Sequence, residues 1–320
     1  MRSKLRLLCF AFVLTFAPAV HAAGQQPVTE PFEFDTNPAA SVKPARIKAA
    51  LYLPPARNPV AAMVIISSSG GVLDWIEGYY ARELSRSGIA AFVVDSFGPR
   101  NAKRVIEDQS LVTSWDMEND AFAALAVLKK DKRIDPSRIG IMGLSKGGLV
   151  AQNSAFIVRQ KWRNTGDLAF AAHVAIAPDC AAQHGNARTT GRPIFYMLAE
   201  LDDYNLAKPC VEYVDRIKAA GNPNVALKVY QGARHNWEDV RPVSLLARAE
   251  NYSTCSAVID DNGEWVMAAG KGPWLMKAAD IYAWRRANCM TVGAHVGGGS
   301  EALKREASRD LLAFLKGNGF

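Results

Sequence analysis

Short, unbroken apolar runs alternate with amphipathic stretches along most of this chain. Residues 61–66 (AAMVII) and 89–95 (IAAFVVD) are continuous apolar segments, as expected of strands buried on both faces. Residues 138–142 (RIGIM), 171–177 (AAHVAIA) and 193–199 (PIFYMLA) read the same way. Residues 225–230 (VALKVY) predict a further strand by alternation, and 47–53 (IKAALYL) a first strand closed by Pro54-Pro55. Between them lie helical patterns. One spans 74–87, with Asp74 as N-cap and Gly88 just beyond its end. A second starts at a capping Ser114 and runs to 130, with Ala121, Leu125 and Leu128 at helical spacing. Others cover 148–159, 204–220 (ended by Gly221) and 301–316 (opened near Ser300). Residues 24–44 carry several prolines and little periodicity, and predict a loose arm.

This alternation predicts an α/β fold, a mainly parallel sheet with helices on both faces. Ligands then bind beyond the carboxyl ends of the strands. The irregular stretch is 241–299, read as an insertion before the last helix. Trp237 stands at its threshold, and Trp265, Trp274, Trp284 and the run Gly297-Gly298-Gly299 lie inside. Those tryptophans are expected either to form a lid or acyl-pocket wall, or to fill a small core of the insertion itself. No internal repeat or low-complexity tract occurs.

The N-terminus changes the picture. Arg2, Lys4 and Arg6 precede an apolar stretch at 7–16, and Val20-His21-Ala22 resembles a cleavage site. That is the pattern of a secretory signal over residues 1–22, too short to span a bilayer comfortably. The expected mature chain, 23–320, is one domain, periplasmic or secreted, with no stable membrane anchor after signal removal. The formal charge of +7 becomes +4 without Arg2, Lys4 and Arg6. Bases are interleaved with acids, as in 129–135 (KKDKRID), which reads as a solvated face and not a nucleic-acid stripe.

Cys9 leaves with the signal, and four cysteines remain. An even number in an exported chain predicts two disulfides. Cys180 and Cys210 follow strands expected to be neighbours, so they form the favoured pair. Cys255 and Cys289 are left to staple the insertion. Their spacing is not that of a zinc site, and no metal or cofactor is expected.

The candidate chemistry begins at Gly143-Leu144-Ser145-Lys146-Gly147, between a predicted strand and a predicted helix. A G-x-S-x-G in that setting is the nucleophile elbow of serine hydrolases; its tight turn lifts the hydroxyl above the sheet. The pentapeptide alone is a weak signal, but suitable partners follow in the required order. A hydroxyl needs a base, and the base needs a carboxylate to fix its tautomer. His235 follows the 225–230 strand and its turn, whereas His173 lies within an apolar strand, and His184 and His295 lie in loops. The acid should follow the 193–199 strand. Asp202 is favoured there, with Asp203 and Glu200 as competitors. The first oxyanion amide is that of Lys146, and the second is expected from Ser69 or Gly70 in the loop after 61–66.

Taken together, 143–148 (GLSKGG), 94–100 (VDSFGPR), 198–203 (LAELDD) and 232–235 (GARH) resemble the dienelactone hydrolase family of α/β-hydrolases. The resemblance covers about 60–239 and the final helix. It implies hydrolysis of small-molecule esters or lactones without a cofactor, with the nucleophile, acid and base roles falling on Ser145, Asp202 and His235. Three departures are visible. The founding members carry cysteine where this chain has Ser145, so dienelactone itself is not the expected substrate. Many relatives open the oxyanion loop with His-Gly, where this chain has Ser67-Ser68. The signal and the 241–299 insertion also set it apart from compact cytoplasmic members.

The expected function is that of an exported serine esterase acting through an acyl-enzyme. Two other classes share the framework: a peptidase or amidase with the same triad, and a non-catalytic binding protein on the same fold. No propeller or amine-binding acidic patch supports the peptidase.

Overall fold

The computed structural model describes residues 28–37, 43–267, 270–274 and 278–320. The expected signal segment, Cys9 and parts of the 24–44 arm lie outside them. Among the described residues, eight strands form one sheet: β1 (Val28–Asp35), β2 (Arg46–Leu53), β3 (Val60–Ile66), β4 (Ala90–Asp95), β5 (Ile134–Leu144), β6 (His173–Ile176), β7 (Ile194–Ala199) and β8 (Val225–Tyr230). Their order is β1-β2-β4-β3-β5-β6-β7-β8. The β1–β2 and β2–β4 pairs are antiparallel and all the others parallel.

Among the described residues, seven α-helices accompany the sheet: α1 (Tyr79–Arg86), α2 (Ser114–Leu128), α3 (Lys146–Asn153), α4 (Ile157–Arg163), α5 (Ala207–Ala219), α6 (Ala278–Asn288) and α7 (Glu301–Gly317). Alternate residues of the central strands serve opposite faces. Ala62, Val64 and Ile66 of β3 join Met117, Ala121 and Leu125 of α2 on one side. Ala61, Met63 and Ile65 join Leu84 of α1 and Ala307 and Leu311 of α7 on the other. Apolar demand on both faces is why these strands read as continuous runs, and the sheet is covered on both sides as predicted.

Several local expectations are corrected. Part of the supposed loose arm is β1, an edge strand in register with β2 from Val28↔Leu53 to Asp35↔Arg46. Pro31 is tolerated at an edge. The 74–87 helix opens with a π-helical turn at Asp74–Gly78 before α1 begins. Asp74 is no N-cap; its carboxylate pairs with Arg82 at 2.6 Å. The cap of α2 is Thr113, whose side chain accepts the Asp116 N–H, and not Ser114. The helix after Ser145 stops at Asn153, and α4 resumes at Ile157. The helix expected from 204 begins at Ala207, because Asp202 claims the N–H groups of Tyr204 and Asn205.

Between β8 and α7 the chain forms short strands. Ser244–Leu245 pairs with His295–Val296, and Glu250–Asn251 with Thr291–Val292. Ala257–Ile259 lies parallel to Ala182–His184, a strand of a separate small sheet in the segment between β6 and β7. Trp265 packs with Trp115, Ile259 and Ile281 in a small core that Trp284 borders. Trp237 is instead part of the main core, against Tyr230. The Trp274 side chain lies outside what is described. Disulfides join Cys180 to Cys210 and Cys255 to Cys289.

Candidate active site

β5 ends at Leu144 and α3 begins at Lys146, so Ser145 alone joins strand to helix. Its backbone sits at φ 57° and ψ −116°, a region that costs a non-glycine residue of the order of 1–3 kcal/mol. The strain persists because the crossing is over-determined. A Cβ on Gly147 would lie 2.2 Å from the Ile66 carbonyl oxygen, and one on Gly148 2.5 Å from that of Ile176. The Ser145 N–H donates to Ile176 O at 2.8 Å, and Ser145 O accepts from Leu149 N at 2.8 Å. The hydroxyl is thereby held at the carboxyl end of the sheet.

The loops after β7 and β8 lie side by side at that end. Leu201 N–H donates to Ala233 O at 2.8 Å. Asp202 Oδ2 is 2.7 Å from His235 Nδ1, and both residues are buried. The other oxygen, Oδ1, accepts from the N–H groups of Tyr204 (2.9 Å) and Asn205 (2.8 Å). The Tyr204 ring packs edge-on to the imidazole, centroids 4.9 Å apart. The competing carboxylates are engaged elsewhere: Glu200 accepts the Gly232 N–H at 2.8 Å, and Asp203 lies 2.6 Å from His295 Nδ1. His173 is buried in β6 against Ser154, and burial pushes its imidazole down to about 4. His184 is buried beside Phe156 and Trp162.

Ser145 and His235 line one cleft of about 340 Å³, together with Ser68, Ser69 and Gly70 from the loop after β3. Among the described residues the two side chains make no direct hydrogen bond. Such contacts often tighten only when substrate is bound. Trp75, Tyr204, Leu246 and Val296 form further walls. Arg104 and Arg241, paired with Glu107 and Asp239, also border the cleft.

The two candidate oxyanion amides differ. The Gly70 N–H donates to Ser68 Oγ at 3.2 Å, so it is already engaged. Among the described residues the Ser69 N–H has no protein acceptor, while its carbonyl accepts from Val105 N at 2.8 Å. Lys146 opens α3, where the first N–H groups lack intrahelical partners. Its side chain is buried and runs away from solvent. The Nζ donates to Gln109 O (2.7 Å) and Val112 O (2.6 Å), and burial pushes the ammonium down to about 7.

One contributor escaped the sequence reading. Glu77, on the π-helical turn, accepts the Ser68 N–H at 3.1 Å and the Leu73 N–H at 2.8 Å, bracketing the whole loop. It is 1% exposed, and burial pushes its carboxyl up to about 7. A signal existed: Glu77 shares helical spacing with Tyr80, Ala81 and Leu84, so a carboxylate stood on a face that had to be buried.

A mainly parallel sheet with a strained serine between β5 and the next helix, and a carboxylate-held histidine after β8, defines an α/β-hydrolase. The family model of the dienelactone hydrolase family matches residues 47–257. The chain belongs to that family and is a carboxylic ester hydrolase of the serine-hydrolase type. Solved structures similar to this chain include a putative dienelactone hydrolase from Klebsiella pneumoniae subsp. pneumoniae, with 16% identity, TM-score 0.49, and coverage of 67% of this chain and 91% of that one. A hyperthermophilic esterase from the archaeon Pyrobaculum calidifontis shows 17% identity, TM-score 0.47, and coverage of 68% and 78%. Esterase 2 of Thermogutta terrifontis in its apo form shows 15% identity, TM-score 0.49, and coverage of 68% and 88%. No curated protein sequence matches the chain. Among the described residues, no helix is long and apolar enough to cross a membrane, and no group of three or more metal-ligating side chains occurs.

Proposed function

We propose that this protein is an exported esterase in which Ser145 is the nucleophile, His235 the general base and Asp202 the orienting acid. The observation that carries the reading is the 2.7 Å contact from Asp202 Oδ2 to His235 Nδ1, on a histidine that shares its cleft with the strained Ser145. With Nδ1 committed to the carboxylate, Nε2 is the nitrogen that takes the Ser145 proton. The alkoxide equivalent attacks the ester carbonyl, and the amides of Lys146 and Ser69 receive the oxyanion. His235 then protonates the leaving alcohol. Water, activated by the same imidazole, releases the acid from the acyl-enzyme.

Export is supported by the N-terminal basic-then-apolar stretch and by two disulfides, which are compatible with an extracellular or periplasmic protein. The substrate is a small-molecule ester. The deciding experiment is labelling with a fluorophosphonate, followed by peptide mapping. A single adduct on Ser145, lost in His235→Ala, is the expected result; a folded protein that hydrolyses p-nitrophenyl acetate with the label elsewhere overturns the assignment.

A further inference from the structure

Ser145 borders two spaces of very different size. One is the cleft of about 340 Å³ that it shares with His235. The other is a pit of about 20 Å³, walled by Lys146, Leu149, Tyr204, Tyr252 and Tyr282, which His235 does not line. Resting on the hydrolytic reading above, we infer that the pit is the acyl pocket and that the natural substrate is an acetate ester of a bulky alcohol.

The argument follows from the tetrahedral intermediate. The carbon bonded to Ser145 Oγ carries three other groups: the oxyanion, the acyl chain and the leaving alkoxide. The oxyanion turns to the Lys146 and Ser69 amides. The leaving oxygen must reach a proton on His235 Nε2, because Nδ1 faces Asp202. The C–O bond to the alcohol breaks as that proton arrives, so the alcohol half lies in the large cleft. The acyl chain is left to the other space that Ser145 borders, the pit, which His235 does not line. Its volume suits about one water-sized group, and a methyl fills it.

The walls are held firmly. Lys146 Nζ is fixed by two carbonyls. Tyr252 donates to Glu250 Oε2 at 2.9 Å and packs with Tyr282 beside the Cys255–Cys289 disulfide. The Asp179–Arg285 ion pair at 3.0 Å also lines the pit. A separate space of about 40 Å³ is bordered by Trp115 and Ile281 and also by Leu149 and Tyr282. Leu149, Asp179, Tyr282 and Arg285 border both spaces, and Leu149 is the aliphatic side chain among them.

The test is a series of p-nitrophenyl acetate, butyrate and octanoate with the full chain, beside 4-methylumbelliferyl acetate as a bulkier alcohol. The expected kcat/KM falls roughly 100-fold from acetate to butyrate, the scale on which added methylenes are rejected. The methylumbelliferyl acetate is hydrolysed comparably to the p-nitrophenyl ester. Leu149→Ala joins the two spaces and raises the butyrate-to-acetate ratio about tenfold. Octanoate or butyrate turned over as well as acetate overturns the inference while leaving the esterase reading intact. Absence of hydrolysis of every ester, with no fluorophosphonate adduct on Ser145, overturns both. Should Leu149→Ala not fold, the acyl series on the unmodified chain still decides.

Discussion

Asp203 Oδ2 lies 2.6 Å from His295 Nδ1, one residue along the chain from the Asp202 that holds His235. Two adjacent aspartates therefore each grip a different histidine, and burial separates their roles. The Asp202 carboxylate is fully buried and the His235 ring nearly so, while the Asp203–His295 side chains are 44% and 47% exposed. With His235 as the proposed base, Asp202→Asn leaves the wrong tautomer on it and is expected to cut kcat by about 10⁴-fold. Asp203→Asn breaks an exposed pair worth at most about 1 kcal/mol, so kcat should change less than about threefold. Steady-state kinetics on a p-nitrophenyl ester checks both; a larger loss at Asp203 would move the acid assignment there.

What was legible in the sequence followed from burial. β3, β4, β7 and the second half of β5 are apolar on both faces and read directly as strands, whereas β5 begins at Ile134, ahead of the Asp135-Pro136 that read as a break. The turn order then pointed to Ser145, Asp202 and His235. β1 was missed because its apolar positions serve one face only, as Phe32 and Phe34 against Phe92, while charges and Pro31 occupy the others. The His295–Asp203 pair was illegible for a different reason. It exists because residues 295–296 fold back beside His235, with an isolated bridge from His235 to Val296 and a bond from Gly297 N–H to His235 O at 3.0 Å. No local pattern encodes that return. Glu77 was visible but ambiguous, since an acid in a first turn usually reads as a solvated charge.

Glu77 links the loop after β3 to pH. Its carboxyl is raised to about 7 by burial, against an ordinary value of 4.5. Between those two values the folded chain holds a proton that the unfolded chain has released. The stability this contributes is complete below about pH 4.5 and is lost as pH rises through about 7. Glu77→Gln cannot titrate, so the Tm advantage of the natural chain over the variant should be largest near pH 5 and shrink by pH 8. Glutamine also leaves one of the two N–H groups, Ser68 or Leu73, without its acceptor. A displaced loop amide should lower kcat by roughly 10–100-fold with KM little changed. Calorimetry across pH, with kinetics at pH 8, tests the two effects separately.

The Cys255–Cys289 bridge closes a separation of 34 residues around Tyr252 and Tyr282. Chain-entropy reasoning gives such a loop about 4 kcal/mol as an upper figure, and measured losses usually fall at about 2–4 kcal/mol. Replacing both cysteines with serine should lower unfolding stability by that amount in urea titrations. The Cys180–Cys210 bridge, with a separation of 30, should behave alike when removed. Loss of the first should loosen acyl selectivity the more, because both Tyr252 and Tyr282 wall the pit beside Ser145.

Gly147 offers the sharpest test of how the elbow is held. An alanine Cβ there would meet Ile66 O at 2.2 Å and Ser67 O at 2.8 Å, both backbone atoms that cannot rotate away. Helix α3 cannot retreat freely, because Gly148 is pressed against Ile176 on its other side, with a Cβ there meeting Ile176 O at 2.5 Å. Gly147→Ala must therefore push α3 off β3, and Ser145 and the Lys146 amide move with it. In the proposed mechanism those groups converge on one carbonyl with the Ser69 amide, which belongs to the loop that β3 itself leads into. A displacement near 1 Å is enough to cost about 100-fold in rate. The expected outcome is a kcat at least about 100-fold lower, with a reduced Tm and a preserved far-ultraviolet dichroism spectrum. Gly317→Ala is the matched control: a Cβ there meets nothing within 4 Å, and it lies at the end of α7. That change should leave kcat untouched and stability equal or higher by up to about 1 kcal/mol. Equal activity in the two variants would mean that the close contact with Ile66 does not set the position of Ser145.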